Sequence, residues 1–325
     1  MVKCNIKSQK TQSTYNFLLY NDIVKKNWYK NIFDIFGDFF LFFKFYIFSG
    51  FLFKQYKIAK INLIAGLYPI FYIFFSYFFN FLIAYFIFLY LNTYINIVFS
   101  ILMALLFVFF IHFLIFKFGN KIAAFWILRI CIFCAKLARN DIKDISKRCE
   151  NFAEILYQKL KDNQHIQNYE LIFISHSVGT ILAIEILDIL LRKCIKTNLD
   201  FNKLKIITLG ECIPLVSMHK EAKIYRFKLD FISNFKLFWL DFSSKIDGIC
   251  YYKIDFFNNK NKAINIHFLS PRFHKLFNER TYKKLRYDWY NIHFLYLMNT
   301  ELKGDYNFFD FITNDDILEN KLSRI

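Results

Sequence analysis

The segment 61–116 contains no aspartate, glutamate, lysine or arginine. A bilayer core about 30 Å thick is crossed by about 20 apolar residues in a helix, so this length predicts two spans rather than one. The polar pair Asn92-Thr93 marks the turn between them, and we predict the spans at 67–91 and 94–116. The alternative is a buried hairpin of a soluble protein, but a soluble core helix rarely stays apolar on every face for this length.

The charges around this hairpin predict its orientation. Basic residues flank both of its ends, and the turn between the spans carries no charge: Lys54, Lys57, Lys60, Lys117, Lys121, Arg129, Lys136. Basic loops stay on the cytoplasmic side of a membrane. The sequence therefore predicts a two-span membrane protein with both termini and the bulk of the chain in the cytoplasm.

The composition is rich in Phe, Ile, Lys, Asn and Tyr, and the formal net charge is +17. AT-rich codons encode these residues, so part of this bias reflects the genome rather than the protein. A positive charge suits an anionic membrane surface or a nucleic acid. Because the lysines are spread along the chain and no helix-turn-helix, zinc or RNA-binding signature accompanies them, we expect membrane lipid as a partner and no nucleic acid.

The chain has seven cysteines and begins with a polar segment that lacks the apolar core of a signal peptide. This pattern indicates a reduced, cytoplasmic compartment in which cysteines act as small core residues. Cys131 and Cys134 form a Cys-x-x-Cys inside an apolar helix, without a second pair of ligands nearby. We therefore predict neither a metal site nor a cofactor.

Hydrophobic periodicity divides the rest of the chain into alternating strands and helices. We expect a strand at 13–20, a helix capped by Asn21 or Asp22 that runs through Lys30, an interfacial helix at 32–54 and an amphipathic helix at 138–162. The later segments are a strand before Ser177, a helix to about Arg192, strands at 204–210 and 235–241 around a helical segment at 213–234, a hairpin of 251–256 with 263–268, and helices around 279–299. Alternating strands and helices predict a parallel sheet with helices on both faces. We divide the chain into an N-terminal region 1–60, a membrane hairpin 61–120 and an α/β domain 121–325.

The most specific motif is Ser175-His-Ser-Val-Gly179, which lies between an apolar strand and an apolar helix. A sharp strand-to-helix turn lifts the hydroxyl of Ser177 above the edge of the sheet, where it can act as a nucleophile. The backbone N–H of Val178 is then placed to bind an oxyanion. Small residues on both sides of Ser177 meet the steric requirement of such a turn.

A nucleophilic serine needs a base and an acid, which in this order of elements follow it along the chain. Asp247 lies in a loop just after a predicted strand, and Asp241 at the strand's end is its competitor. The base is one of three histidines, and the residues alone do not choose among them: His267, His274, His293. His176 is expected to point to the wrong side of the turn, and His112 to have a structural role in the second span.

The chain resembles bacterial membrane-bound α/β-hydrolase-like proteins of lipase or esterase type that carry a transmembrane hairpin before the nucleophile strand. The resemblance covers most of the chain and rests on these segments: 15–24, 175–179, 208–215, 239–247, 270–277, 293–298, 304–309. It implies an α/β-hydrolase-like fold with Ser177 as nucleophile, Asp247 as acid and His293 as base, and His274 as second choice for the base. We expect from it a membrane-anchored serine hydrolase that acts on an ester or acyl substrate of unknown identity.

Two departures from that pattern bear on activity. Ser175 replaces the first glycine of Gly-x-Ser-x-Gly, and the Gly-rich loop that donates a second oxyanion N–H is missing, since the first glycine is Gly37. Losing one oxyanion donor typically costs about a hundred- to a thousandfold in rate. The alternative expectation is therefore a non-catalytic, membrane-anchored scaffold or interaction protein that retains a degenerate hydrolase fold.

Overall fold

A computed structural model describes residues 2–7, 12–28, 31–257, 262–313 and 317–322. Within these ranges the protein has a mixed α/β architecture. Its strands are β1 (Val2–Lys7), β2 (Gln12–Phe17), β3 (Leu171–His176), β4 (Leu204–Leu209), β5 (Phe238–Phe242) and β6 (Asn265–Leu269). Strands β3, β4, β5 and β6 form a parallel sheet in that order, whereas β1 and β2 form a separate antiparallel pair. The predicted parallel sheet is confirmed.

The helices carry most of the chain. In the N-terminal half they are α1 (Asn21–Lys26), α2 (Ile32–Phe42), α3 (Phe51–Ile58), α4 (Lys60–Asn92), α5 (Ile97–Lys121), α6 (Ala124–Ala138) and α7 (Lys143–Asp162). In the C-terminal half they are α8 (Val178–Lys196), α9 (Pro214–Ser217), α10 (Lys223–Ser233), α11 (Glu279–Leu285), α12 (Trp289–Phe294), α13 (Asp310–Thr313) and α14 (Leu318–Leu322).

Helices α4 and α5 are the two helices of the described chain that are each long and apolar enough to cross a membrane. Their hydrogen bonds to each other use polar side chains spaced along the pair. Tyr77 contacts the Nδ1 atom of His112 at 2.7 Å, and the Asn80 side chain donates to the carbonyl of Val108 at 3.3 Å. Pairing of this kind satisfies polar groups that lipid cannot hydrate, which gives His112 the structural contact expected of it.

The predicted single helix at 32–54 is wrong. Helix α2 continues into a π-helical turn (Phe43–Ile47), and the chain then bends by 69° into α3. The bend lies at Gly50, whose φ of 76° is in the left-handed region that glycine adopts without a steric penalty. The bent pair is also apolar enough for a broken span or a re-entrant segment, so the described residues contain two candidate spans, or three if this pair counts as one.

The predicted hairpin of 251–256 with 263–268 is also wrong. The first segment forms no strand, and β6 pairs in parallel with β5 instead. The expected turn at 258–261 lies outside the described residues. Alternation of apolar residues identifies a strand but neither its partner nor its direction, and that is why β6 was assigned to the wrong neighbour.

Other boundaries differ more modestly. The predicted helix at 213–234 is two helices, α9 and α10, and the helix expected at 138–162 begins at Lys143. Helix α1 ends at Lys26, with Tyr20 rather than Asn21 or Asp22 at its N-cap, and Lys30 lies outside the described residues.

The parallel sheet separates two hydrophobic cores. One face of β4 and β5 places Ile206 and Trp239 against the helices α6 to α10, and this core continues to the bases of the long helices. The other face places Ile207 and Leu240 against the short C-terminal helices. Alternation of side chains along each strand produces this division. The sheet therefore has helices on both of its faces, as predicted.

A buried ion pair ties the bent helices to this core. Arg129 of α6 contacts Asp38 of α2, and both side chains are almost fully buried. Removing one partner of such a pair would strand a charge in the core.

Candidate active site

Ser177 lies at the turn between β3 and α8. Its backbone has φ 56° and ψ −130°, a combination that a non-glycine residue adopts only under strain. The turn is held on the strand side by a hydrogen bond from the Ser177 N–H to the carbonyl of Leu209 at 3.1 Å. On the helix side, the Thr180 hydroxyl donates to the Ser177 carbonyl at 2.6 Å. The strand-to-helix turn predicted from the sequence is therefore present, and the Ser177 side chain is only partly buried.

Ser177, His293 and Asp247 form one hydrogen-bonded chain. The Oγ atom of Ser177 lies 2.7 Å from Nε2 of His293, and Nδ1 of His293 lies 2.8 Å from Oδ2 of Asp247. With the proton of the neutral imidazole on Nδ1, His293 donates to the carboxylate and accepts from the serine hydroxyl. The three residues come from separate elements, namely the β3–α8 turn, helix α12 and the loop after β5.

Asp247 is held as a carboxylate in spite of its burial. Its Oδ1 atom accepts hydrogen bonds from the backbone N–H groups of Ile249 at 3.0 Å and Cys250 at 3.4 Å. Burial alone would raise its pKa, but the neighbouring His293 and these hydrogen bonds outweigh burial and place the pKa below its ordinary value. The tyrosine hydroxyl of Tyr296 donates to Oδ2 at 3.2 Å.

Two residues that the sequence did not assign to the site contact it directly. Nε2 of His176 lies 2.7 Å from the backbone carbonyl of His293, to which only a protonated ring nitrogen can donate. Burial lowers the pKa of His176 to about 3, so this ring is neutral at physiological pH. Tyr296 lies three residues after His293 and reaches Asp247. The position of His176 next to Ser177 is the one sequence feature that could have predicted its contact with the site. Nothing in the sequence distinguishes Tyr296 from the other tyrosines.

The other candidates lie elsewhere. His274 is exposed on a 3₁₀ turn, with its ring against Tyr282. His267 lies in β6 beside Phe238. Asp241 lies within β5, fully buried, and accepts a hydrogen bond from Thr208 at 2.7 Å. Of the alternatives left open by the sequence, the structure joins Asp247 and His293 to Ser177.

Helix α8 begins at Val178, directly after Ser177, and the N–H groups in the first turn of a helix have no acceptor within that helix. They and the helix dipole favour negative charge at this point. A Cβ atom on Gly179 would lie 3.5 Å from the Tyr20 hydroxyl and 4.0 Å from the Cβ atom of Ser175. The N-terminal segment after β2 therefore reaches the turn, and a Cβ atom at position 179 would make only ordinary van der Waals contacts with Tyr20 and Ser175.

The thiol of Cys212 is another neighbour of Ser177. Burial raises the pKa of this thiol well above its ordinary value, and a hydrogen bond with Ser177 opposes the shift. Its Sγ atom lies 3.8 Å from the carbonyl of Ile249, in the loop that carries Asp247. A neutral thiol here fills space between the serine and that loop.

The base of helix α4 is attached to the loop that carries Asp247. The Asn62 side chain donates to the carbonyls of Ile249 at 3.1 Å and Cys250 at 2.9 Å, and Asn62 is buried. The ring of Tyr68 packs against Trp289 at the start of α12, with centroids 5.2 Å apart. The apolar helix α4 thus contacts both the loop that carries Asp247 and the helix that carries His293.

Among the described residues, no group of three or more histidine, cysteine, aspartate or glutamate side chains is placed to hold a metal ion. Comparisons with protein families, curated proteins and solved structures find no match to this chain. The functional argument therefore depends on the geometry of the site.

Proposed function

We propose that this protein is a membrane-anchored serine hydrolase that cleaves an ester or acyl substrate. The observation that supports this most strongly is the continuous hydrogen-bonded chain from Ser177 through His293 to Asp247, in which the serine occupies a strained strand-to-helix turn. Nucleophile, base and orienting acid at hydrogen-bonding distances are the arrangement that activates a serine hydroxyl. The fold that this implies is an α/β-hydrolase-like one.

The reaction then proceeds in two acyl transfers. Nε2 of His293 takes the proton of Ser177 as Oγ attacks the carbonyl carbon, and the oxyanion forms at the N-terminus of α8, beside the Val178 N–H. His293 returns the proton to the leaving alcohol oxygen, which gives an acyl-serine. Water attacks this ester with His293 again as base, and the acid product and free Ser177 result. Asp247 stays ionised and stabilises the imidazolium in both steps.

The apolar helices α4 and α5 would anchor the enzyme in a bilayer with both ends of the hairpin in the cytoplasm. Lysines follow or precede each end of the pair, and the turn at Asn92-Thr93 is uncharged. Contacts from Asn62 and Tyr68 to the site support a position of the site close to the membrane surface.

Labelling of the full-length protein in membranes with a fluorophosphonate tests the proposal, because such a probe reacts with an activated serine. Ser177→Ala should abolish labelling, and His293→Ala should reduce it strongly, since a serine without its base is a poor nucleophile at neutral pH. Ser217→Ala and His274→Ala are matched controls that change a serine and an exposed histidine away from the triad, and both should label like the wild type.

Two results would contradict the proposal or part of it. If the wild type labels no more than Ser177→Ala, the hydrolase function fails and the non-catalytic scaffold is left. If His274→Ala silences labelling while His293→Ala does not, the base is wrongly assigned although the class of enzyme survives.

A further inference from the structure

The hydroxyl of Tyr20 lies beside the turn that carries Ser177. A Cβ atom added to Gly179, in the first turn of α8, would lie 3.5 Å from the hydroxyl oxygen of Tyr20. Gly179 directly follows Val178, whose N–H binds the oxyanion in the proposed mechanism. The side chain of this N-terminal residue therefore reaches the start of the helix at which the oxyanion forms.

This hydroxyl has no hydrogen-bond partner among the described residues. By contrast, the hydroxyl of Tyr225 donates to the carbonyl of Ile181 in α8 at 3.1 Å, and that of Tyr296 donates to Asp247 at 3.2 Å. Leaving a partly buried hydroxyl unpaired costs free energy, because its hydrogen bonds with water are not replaced. The Tyr20 hydroxyl is thus a donor that is free to bind a group of the substrate.

The hydroxyl keeps its proton at physiological pH. Burial, followed by the thiols of Cys134, Cys212 and Cys149, raises the pKa of Tyr20 to about 12. Because Cys212 also forms a hydrogen bond with Ser177, the tyrosine and the serine share a neighbour. A protonated hydroxyl can donate to a negatively charged oxygen, which a phenolate could not do.

Helix α7 holds the segment that carries this tyrosine. The guanidinium group of Arg148 donates to the carbonyl of Leu19 at 2.6 Å and to the two carboxylate oxygens of Asp22 at 2.9 and 2.7 Å. A bidentate pair of this kind fixes orientation as well as distance. Arg148 therefore restrains the chain on both sides of Tyr20. Donors that are fixed in advance stabilise developing charge well, because they need not reorganise during the reaction.

We propose that the Tyr20 hydroxyl is the second oxyanion donor of this hydrolase, in place of the backbone N–H that the missing Gly-rich loop would supply. This inference rests on the proposed function. When Oγ of Ser177 bonds to the carbonyl carbon, an electron pair of the C=O double bond moves onto the oxygen. The Val178 N–H and the Tyr20 O–H both donate to that oxygen. The electron pair re-forms the double bond as the leaving group departs, and Tyr20 keeps its proton throughout.

Fluorophosphonate labelling of the full-length protein in nanodiscs tests this role, because the phosphonyl oxygen takes the place of the oxyanion. Tyr20→Phe removes the hydroxyl but keeps the ring. It should slow labelling about a hundredfold, a factor typical of losing one oxyanion donor. Tyr157→Phe is the matched control, since this hydroxyl bonds Thr197 at the other end of α8, at 3.2 Å, and it should label like the wild type.

Steady-state hydrolysis of p-nitrophenyl acetate separates a catalytic role of Tyr20 from a structural one. A donor to the oxyanion acts in the transition state, so Tyr20→Phe should lower kcat and leave KM nearly unchanged. The pH midpoint of kcat/KM should also stay the same, because His293 is unaltered. A raised KM, a shifted midpoint or a lower thermal unfolding midpoint than that of Tyr157→Phe would indicate a structural role and overturn the inference.

Arg148 should act only through the position of Tyr20. Arg148→Gln releases Leu19 and Asp22 and should slow labelling, whereas Lys147→Gln, at the exposed neighbouring position, should not. In a Tyr20→Phe background, Arg148→Gln should cause no further loss, because the donor that it positions is already gone. A full additional loss in the double variant would contradict this positioning of the hydroxyl by Arg148.

The labelling rates also distinguish this inference from the proposed function. If the wild type labels no more than Ser177→Ala, the hydrolase and its second donor are both rejected. If the wild type labels and Tyr20→Phe labels equally fast, the hydrolase stands and Tyr20 is not its oxyanion donor.

Discussion

The hydrogen bonds around Asp247 and His293 determine how precisely the imidazole is aimed at Ser177. Asp247 accepts hydrogen bonds on both carboxylate oxygens, and His293 is fixed at Nδ1 and also at its backbone carbonyl. The last bond comes from His176, whose ring also packs on Phe294 with centroids 5.3 Å apart. In the proposed mechanism, His176 is thus a positioning residue that acts through the main chain of His293 rather than on a substrate.

Replacing His176 separates the contribution of this hydrogen bond from the contribution of the ring's packing on Phe294. His176→Phe keeps a ring but loses the donor, and we expect fluorophosphonate labelling to slow about fivefold, since a typical hydrogen bond contributes about 1 kcal/mol. His176→Gln places an amide donor near the same point and should recover most of the rate. The pH profile of labelling should keep its midpoint in both variants, because the base itself is unchanged. A shift of that midpoint, or no rescue by glutamine, would count against a positioning role.

Two carboxyl groups outside the triad should govern how stability depends on pH. Burial raises the pKa of Asp241 to about 7, and burial followed by the charge of Asp241 raises the pKa of Glu211 well above its ordinary value. In the unfolded chain these groups release their protons near pH 4, so above that pH the folded state binds more protons than the unfolded state. Stability contributed by these groups therefore falls as the pH rises from about 4 through about 7.

Asp241→Asn should remove much of this dependence. Relative to wild type, the free energy of unfolding of the variant should increase by on the order of a few kcal/mol as the pH rises from 5 to 8. Each pKa unit of the Asp241 shift corresponds to about 1.4 kcal/mol. Thermal unfolding midpoints of the purified protein across that range measure the difference, with the exposed Asp162→Asn as the control. Parallel curves for wild type and Asp241→Asn would show that Asp241 is already ionised in the folded protein.

At the scale of the elements, the sequence predicts correctly those segments whose structure is determined by their own residues. The strand-to-helix turn at Ser177 and the apolar helices followed from residue types and spacing, and the helices α4 and α5 contain most of the predicted spans. Segments whose structure depends on a distant partner were assigned wrongly. Strand β6 pairs in parallel with β5 rather than with an antiparallel neighbour, and the bend at Gly50 divides a segment that its many apolar residues predict to be one helix.

The contact between α4 and the loop of Asp247 joins an element of the membrane hairpin to the site. Asn62→Leu would leave the carbonyls of Ile249 and Cys250 without their donor and loosen the loop, so we expect labelling to slow by about tenfold. Asn80→Leu is the matched control, since this buried asparagine on the same helix bonds only α5, through Val108. An equal loss of labelling rate in both variants would indicate damage to the hairpin rather than to the loop.

At the scale of the whole molecule, the order of the chain conceals how close its parts are. Ser177 and His293 are 116 residues apart in sequence, and the Asn62 amide reaches a carbonyl 187 residues away. The order of nucleophile, acid and histidine limited the candidates, but the residues alone did not choose among His267, His274 and His293. That choice depends on helix α12, whose position is determined by long-range packing against Trp126 and Tyr68.

The orientation of the molecule in a membrane is testable because six of its seven cysteines are buried and only Cys4 is exposed. In a Cys4→Ser background, Asn92→Cys places a thiol at the turn of the hairpin and Lys196→Cys places one on the exposed end of α8. Lysines flank both ends of the hairpin and should stay in the cytoplasm. An impermeant maleimide should therefore label position 92 in intact cells and position 196 only after permeabilisation.

The reverse labelling pattern would show that the orientation is the opposite one. If both positions are protected in intact cells and labelled after permeabilisation, the turn does not reach the outer face.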